Sequence, residues 1–271
     1  MEEENKETNV KSTIDAVTGL VKAVPVYQDA VQPAAKQVGQ SLEVVAKTVN
    51  IALAPIKALV WGYEKIEDFI SKSVSEKLKS VPEENITTPP PNVAGPAVES
   101  LRYSGHDEKL RELYANLIAN AMDKDTIHKA HPGFVEIIKN LSTDEAVLLK
   151  VFIKKQQFPL IDIKATITEK RGGYTIITQN FSHISKLVEL TRPDLIPTYI
   201  NNLCRLGILE IPSGVYMSDS GIYESLESDK QLEPTKMLIE QIMKRKMDFT
   251  RKVVSPTMFG KQFIENVVKD K

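Results

Sequence analysis

The sequence predicts a mainly α protein, with an N-terminal bundle of long helices and a C-terminal winged-helix-like α+β unit carrying an inserted helix. Three observations predict it. An apolar stripe from Val10 to Ile70 alternates spacings of four and three, the repeat of helices that share a seam. A proline cluster then separates this stripe from the rest of the chain. Finally, a helical pattern ending in Leu206-Gly207 passes at once into the β-branched run Ile208–Ile211, and a second such run, Lys252–Pro256, precedes a last helical stretch. The chain divides accordingly into kinked amphipathic helices at 1–79, a proline-rich strap at 80–97, a helical segment at 98–141 and the winged-helix-like domain at 142–271, with an insertion at 213–250.

Pro25, Pro33 and Pro55 all fall off the seam, and Gln28 is its one polar member. Pro25 ends a first helix, Pro33 suits the first turn of the next, and Pro55 kinks a pattern that continues on both sides. A two-stranded coil would flank its seam with charges, whereas Ala46, Leu53, Val60 and Phe69 are small or apolar. The buried face is therefore wide, as in a bundle helix, and its centre is Val45, Val49, Ile56, Leu59, Tyr63 and Ile66. The stretch Val44–Tyr63 has the length of a membrane span, but Lys47 and Lys57 lie within it. Each central charge costs about 2.5–3.5 kcal/mol on insertion scales. A permanent span is not expected. The alternatives are core packing and conditional contact with a membrane.

The strap contains Pro82, Pro89, Pro90, Pro91 and Pro96, a composition that favours extended, semi-rigid chain. Leu110, Leu113, Tyr114, Leu117, Ile118 and Ala121 then form one helical face, with Asp107 as its N-cap. Pro132 opens a short helix carrying Phe134, Ile137 and Ile138. Ser142 and Glu145 have capping-box spacing ahead of Val147, Leu148, Val151 and Phe152. Phe158–Ile167, a Gly172-Gly173 turn and Tyr174–Ile177 read as a hairpin, and Phe181–Leu190 as a helix. Asp194 caps a second helix bearing Leu195, Ile196, Tyr199, Ile200, Leu203 and Leu206, closed by Gly207. The insertion carries a helix opened by Pro234 and lined by Met237, Leu238, Ile242 and Met243. The last helix runs from Phe259 to Val268.

Several separated segments carry a resemblance. They are Pro89–Ala97, Leu113-Tyr114-Ala115-Asn116-Leu117-Ile118-Ala119, His131–Ser142, Leu203-Cys204-Arg205-Leu206-Gly207 and Phe259-Gly260-Lys261-Gln262-Phe263. Together they resemble the Abi-alpha family, named for abortive infection, over roughly residues 80–265. The resemblance implies a bacterial cytosolic protein associated with defence against phage. It carries no catalytic residues over to this chain.

The composition excludes some classes. The net charge of −1 creates no global field toward nucleic acid or anionic membrane. Before Leu141 there are 16 basic and 20 acidic residues, and after it 19 and 16, so the C-terminal part is only mildly basic. The single Cys204 rules out an internal disulfide framework and is expected to be a buried small hydrophobe. The acidic start Met1–Glu7 is not that of a secretory signal, which sets a cytoplasmic location as the expectation, with membrane association on activation as its extension.

For chemistry, a winged helix would expose Asn201, Asn202 and Arg205 on its recognition helix, and a basic run lies at Lys244-Arg245-Lys246. These are the candidate nucleic-acid or partner contacts, although one arginine beside Asp194 gives phosphates little to hold. His128, His131 and Glu136 have the residue types of a metal site, but Pro132 biases His131 away from helical geometry. Arg102 and His106 resemble the Arg/His pairs of ribonucleases at too short a spacing, with Gly105 between them. Phosphate-loop, zinc-protease and serine-hydrolase motifs are absent. No catalytic, cofactor-binding or metal residue is therefore nominated, and no cofactor is expected. The reading is a non-enzymatic phage-defence protein whose C-terminal unit binds a protein partner or a second copy and whose N-terminal apolar face is the effector. A winged-helix DNA-binding regulator and a cryptic nuclease are the alternatives.

Overall fold

The computed structural model describes residues 60–167 and 172–271, and the fold is mainly helical with one small four-stranded sheet. Helix α1 (Tyr63–Leu78) packs Ile66, Val74 and Leu78 inward. Helix α2 (Pro91–Ser104) begins inside the expected strap. Pro91 presets the dihedral of a first helical turn, and Val93, Ala97 and Leu101 recur at a spacing of four with their side chains buried. That stripe overrides the extended preference of the proline run. Pro96 lies within the helix, where it removes a partner from the carbonyl of Asn92, a residue exposed to solvent.

Helix α3 (Glu108–Ala121) is the central post, buried at every position from Leu113 to Ala121. Asp107 caps it as expected, accepting from the amides of Lys109 and Leu110. Helix α4 (Gly133–Lys139) follows Pro132 and buries Phe134, Ile137 and Ile138. Helix α5 (Thr143–Leu149) opens with the reciprocal Ser142–Glu145 capping box and continues into the short helix α6 (Val151–Lys154).

The sheet has the order β2-β1-β4-β3, all antiparallel, from β1 (Phe158–Thr166), β2 (Tyr174–Phe181), β3 (Leu209–Glu210) and β4 (Lys246–Pro256). Strand β4 is longer than the sequence suggests and pairs with β1 from Phe158↔Val254 to Thr166↔Lys246. The expected helix over Phe181–Leu190 does not form. β2 runs through Phe181, and only a 3-10 turn, His183–Leu187, follows. The reason is tertiary: Ile184 is buried but Leu187 is exposed, and the Asp144 carboxylate holds the amides of Thr191 and Arg192. Asp194 does not cap the next helix, α7 (Ile196–Arg205), because Arg192 takes both of its oxygens.

Helix α7 closes in a Schellman motif, with the Ile208 amide bonded to the Leu203 carbonyl and the Gly207 amide to that of Cys204. Gly207 has φ 73°, with open space where a Cβ would project. Gly207→Ala is expected to cost about 1–2 kcal/mol, the left-handed penalty without a clash, measurable as a lower urea midpoint.

The insertion contains two helices, α8 (Ser220–Glu227) and α9 (Glu233–Met237), the second extended by a π turn, Leu238–Ile242. Only the second is legible in the sequence. Its face also differs from expectation: the π turn rotates Ile239 inward, while Met237, Leu238 and Ile242 are exposed. With Tyr223, Leu226 and Leu232, Ile239 covers Ile161, Ile163 and Ala165 on one face of the sheet. Elsewhere one hydrophobic cluster takes residues from Ile66 to Val268. Among the described residues, no helix is long and apolar enough to cross a membrane.

Candidate functional site

Four of the five segments that carry the family resemblance meet at the last helix, α10 (Met258–Phe263), and the π turn that follows it, Ile264–Val268. Phe134 stacks against Phe259 at 5.2 Å and Phe263 at 5.3 Å. Asn116 and Asn120 are buried in α3, and each donates its amide at 2.9 Å to a carbonyl of the closing turn, Val267 and Asn266 respectively. These are helix-terminal carbonyls that would otherwise lack partners. Thr257 caps α10 and donates to the Gly207 carbonyl at 2.6 Å, while its own amide bonds to Ile208. The shared residues thus build a packing node.

Most of the polar residues nominated from sequence are engaged internally. Asn201 accepts from Asn180 at 2.9 Å. Asn202 donates to Glu145 at 2.7 Å and to the Asn140 carbonyl at 3.1 Å, and Arg205 folds back on Asn202 at 2.7 Å. The polar side of α7 is thus tied to β2 and α5 by these bonds, with Asn201 and Arg205 still exposed to solvent. Cations of β4 are partly neutralised as well: Arg251 pairs with Glu227 through both nitrogens at 2.7 and 2.9 Å, and Lys252 with Asp162 at 2.6 Å. Lys244 and Lys246 are exposed and Arg245 is half-buried, donating to Thr175 at 2.9 Å. Of the apolar face, Val45, Val49, Ile56 and Leu59 lie outside the described residues. Ile66 is buried, whereas Tyr63 is 75% exposed.

Of the remaining chemical candidates, Arg102, His106 and His128 are exposed, whereas His131, Glu136 and Cys204 are engaged. His131 accepts from the Gly133 amide through Nδ1 at 3.0 Å and packs on Phe134 and Phe259, so it caps the turn into α4. Glu136 pairs with Lys139 at 2.9 Å. Burial pushes the Cys204 thiol up, and Glu210 adds to this against the pull of Lys252, so the thiol stays neutral and poorly nucleophilic. Two residues distant in sequence, His183 and Asp229, meet at 2.6 Å, with Lys186 on the same carboxylate at 2.8 Å. Lys186 and the Gln231 amide hold the Asp229 carboxyl well below the usual range, which fastens the insertion to the 3-10 turn.

What stays open is a groove. Lys154 and Lys155 at the end of α6, Gln156 and Gln157 beyond it, Ser255 on β4 and Lys261 on α10 border a depression of about 530 Å³. A smaller depression of about 90 Å³ adjoins it through Gln156, Pro256 and Lys261, and extends along α10 to Glu265 and Lys269. Among the described residues no ion pair neutralises Lys154, Lys155, Lys261 or Lys269. Lys155 lies over the Phe158 ring at 5.2 Å. The sequence does not nominate this groove, since its lysines lie about a hundred residues apart. The Lys154-Lys155 pair next to a strand start is the one local signal it carries.

The sequence profile of the abortive infection alpha family matches residues 62–267, from the start of α1 to the closing turn. The chain belongs to that family. The abortive infection alpha match reaches further toward the N-terminus than the resembling segments and takes in α1, which packs on the shared core. Membership sets the protein in the context of phage defence. No curated protein matches it. A solved structure, that of an uncharacterized protein from the hydrocarbon-degrading marine bacterium Alcanivorax borkumensis SK2, is similar at 19% identity, covering 51% of this chain and 93% of that one with a TM-score of 0.36.

Proposed function

We propose that this abortive infection alpha protein acts in phage defence without catalysis, its C-terminal unit binding an acidic segment of a protein partner in the lysine groove. The observation that carries this reading is the convergence of Lys154, Lys155 and Lys261 on one open depression with no carboxylate paired to them among the described residues. Free ammonium groups there attract a carboxylate-rich chain, and Gln156, Gln157 and Ser255 add neutral hydrogen-bonding groups. Glu210 and Glu265 bound the cationic stretch, so a short acidic segment fits between them where a continuous phosphate backbone would run past both.

The strand order β1-β4-β3, fed by α7, supports the winged-helix reading of the C-terminal part. It does not favour DNA as the ligand, because the side chains that would read bases are bonded within the protein. In this reading the apolar face centred on Val45, Val49, Ile56 and Leu59 is the effector arm.

Phage challenge of expressing cells tests both parts. Wild type should protect or arrest growth. Lys154→Glu/Lys155→Glu/Lys261→Glu should lose that response with an unchanged thermal midpoint, and Leu59→Asp should lose it through the arm. Full protection by the triple variant would refute the groove, and a wild type that neither protects nor arrests growth would refute the defence role.

A further inference from the structure

The far end of the sheet, away from α7 and the lysine groove, presents an apolar and cationic tip. Pair register places Thr166 opposite both Tyr174 and Lys246, and Lys164 opposite Ile176 and Asp248. Tyr174 is 62% exposed and Ile176 is exposed beside it on the edge strand. The insertion delivers Ile242, 75% exposed, to the same end, because the Arg245 amide bonds to Ile239 and brings the π turn against the start of β4. Lys244 and Lys246 are exposed there, and Arg245 lies between them. Among the described carboxylates nearby, Asp248 is paired by Lys164 at 3.5 Å, which leaves Glu240 against three cations. Lys164 also lies over the Tyr174 ring at 4.9 Å, holding that aromatic upright at the tip.

We propose that this tip docks on an anionic lipid surface. Lys244, Arg245 and Lys246 would meet acidic headgroups, Tyr174 would sit at headgroup depth, and Ile176 and Ile242 would enter the acyl boundary. Charge complementarity selects the sign of the partner, and the apolar residues select its kind. A phosphodiester chain would satisfy the three cations but leave Ile242 and Ile176 in water, whereas a bilayer removes them from it. The residues are distinct from the lysine groove, so the inference does not depend on the partner reading.

The test is co-sedimentation of the full chain with phosphatidylcholine vesicles with and without phosphatidylglycerol. Binding should need phosphatidylglycerol and weaken with salt. Lys244→Gln/Arg245→Gln/Lys246→Gln should lower the partition coefficient by about a hundredfold, the loss of three interfacial cations. Ile242→Ser should lower it by about tenfold or more while preserving the salt dependence. These positions are at the surface, so circular dichroism should confirm unchanged folding. No phosphatidylglycerol-dependent binding by the wild type would overturn the proposal. So would undiminished binding by both variants, which would assign the contact to another part of the chain. Release from vesicles by duplex DNA or RNA, with Ile242→Ser binding as wild type, would overturn it in favour of nucleic acid.

Discussion

Gly260→Ala is expected to destabilise the fold by about 3 kcal/mol or more, a large share of the roughly 5–15 kcal/mol that holds a domain folded. A Cβ at this position would lie 1.9 Å from the Ile208 carbonyl oxygen and 2.8 Å from its carbon. Both are backbone atoms, so no rotamer change relieves the overlap. Ile208 is itself held by the Schellman closure of α7 and by the Thr257 amide. Helix α10 would have to move as a body, taking Phe259 and Phe263 off Phe134 and the closing turn off Asn116 and Asn120. Gly207→Ala, one residue before Ile208, is the matched comparison, since it is strained in dihedral alone. Urea unfolding of the two variants should separate them clearly. A Gly260→Ala loss no larger than that of Gly207→Ala would show that α10 is not seated on Ile208 as described.

The second large effect is expected at Asp144. Its buried carboxylate accepts from the amides of Thr191 and Arg192 at 2.9 and 2.8 Å and from the Tyr199 hydroxyl at 2.9 Å. Asp144→Ala should cost about 2–4 kcal/mol, chiefly because the buried Tyr199 hydroxyl loses its acceptor, while water can reach the two amides. Asp144→Asn keeps the shape but not the charge and should lie in between. Stability should also depend on pH through this pair. Burial raises the Asp144 carboxyl, but the two amides and the Tyr199 hydroxyl pull it further the other way, to below its ordinary value. The carboxylate therefore stabilises the fold above its unfolded pKa, and that contribution is lost as pH falls through the folded value. Tyr199 runs oppositely. Burial and Asp144 push its hydroxyl up to about 12, so its contribution is fully present below the ordinary tyrosine pKa and is lost as pH rises from there through about 12. A pH series of thermal midpoints checks this, and Asp144→Asn should flatten the acid limb. An acid limb as steep in Asp144→Asn as in wild type would place the titrating group elsewhere.

Residues whose signal is local are legible in the sequence by itself. Asp107 and Ser142–Glu145 cap the helices that their spacing predicts, Gly207 closes α7, and β1 and β2 pair antiparallel as expected. Each rests on hydrogen bonds within a few residues or on a single dihedral, so neighbouring sequence is sufficient. The failures share a different cause. Val93, Ala97 and Leu101 form a helix across a proline-rich run because α3 and α4 bury that face, and the prolines alone argue for extended chain. Over Phe181–Leu190 a helical pattern yields to β2 and to a carboxylate more than thirty residues upstream in sequence.

The candidate site divides along the same line. Family membership and the mainly helical class can be read from words such as Leu203–Gly207 and Phe259–Phe263, because side-chain size and backbone dihedral are properties of the residues themselves. That those words meet at α10, that Asn201 and Asn202 bond to residues of distant elements, and that Lys154, Lys155 and Lys261 border one groove with no paired carboxylate among the described residues follow from long-range packing. Charge and hydropathy assign each residue a preference for water or for a partner, but the partner that competes for it is supplied by a distant part of the chain. Which polar groups find no such partner is settled by folding, through contacts that span most of the sequence.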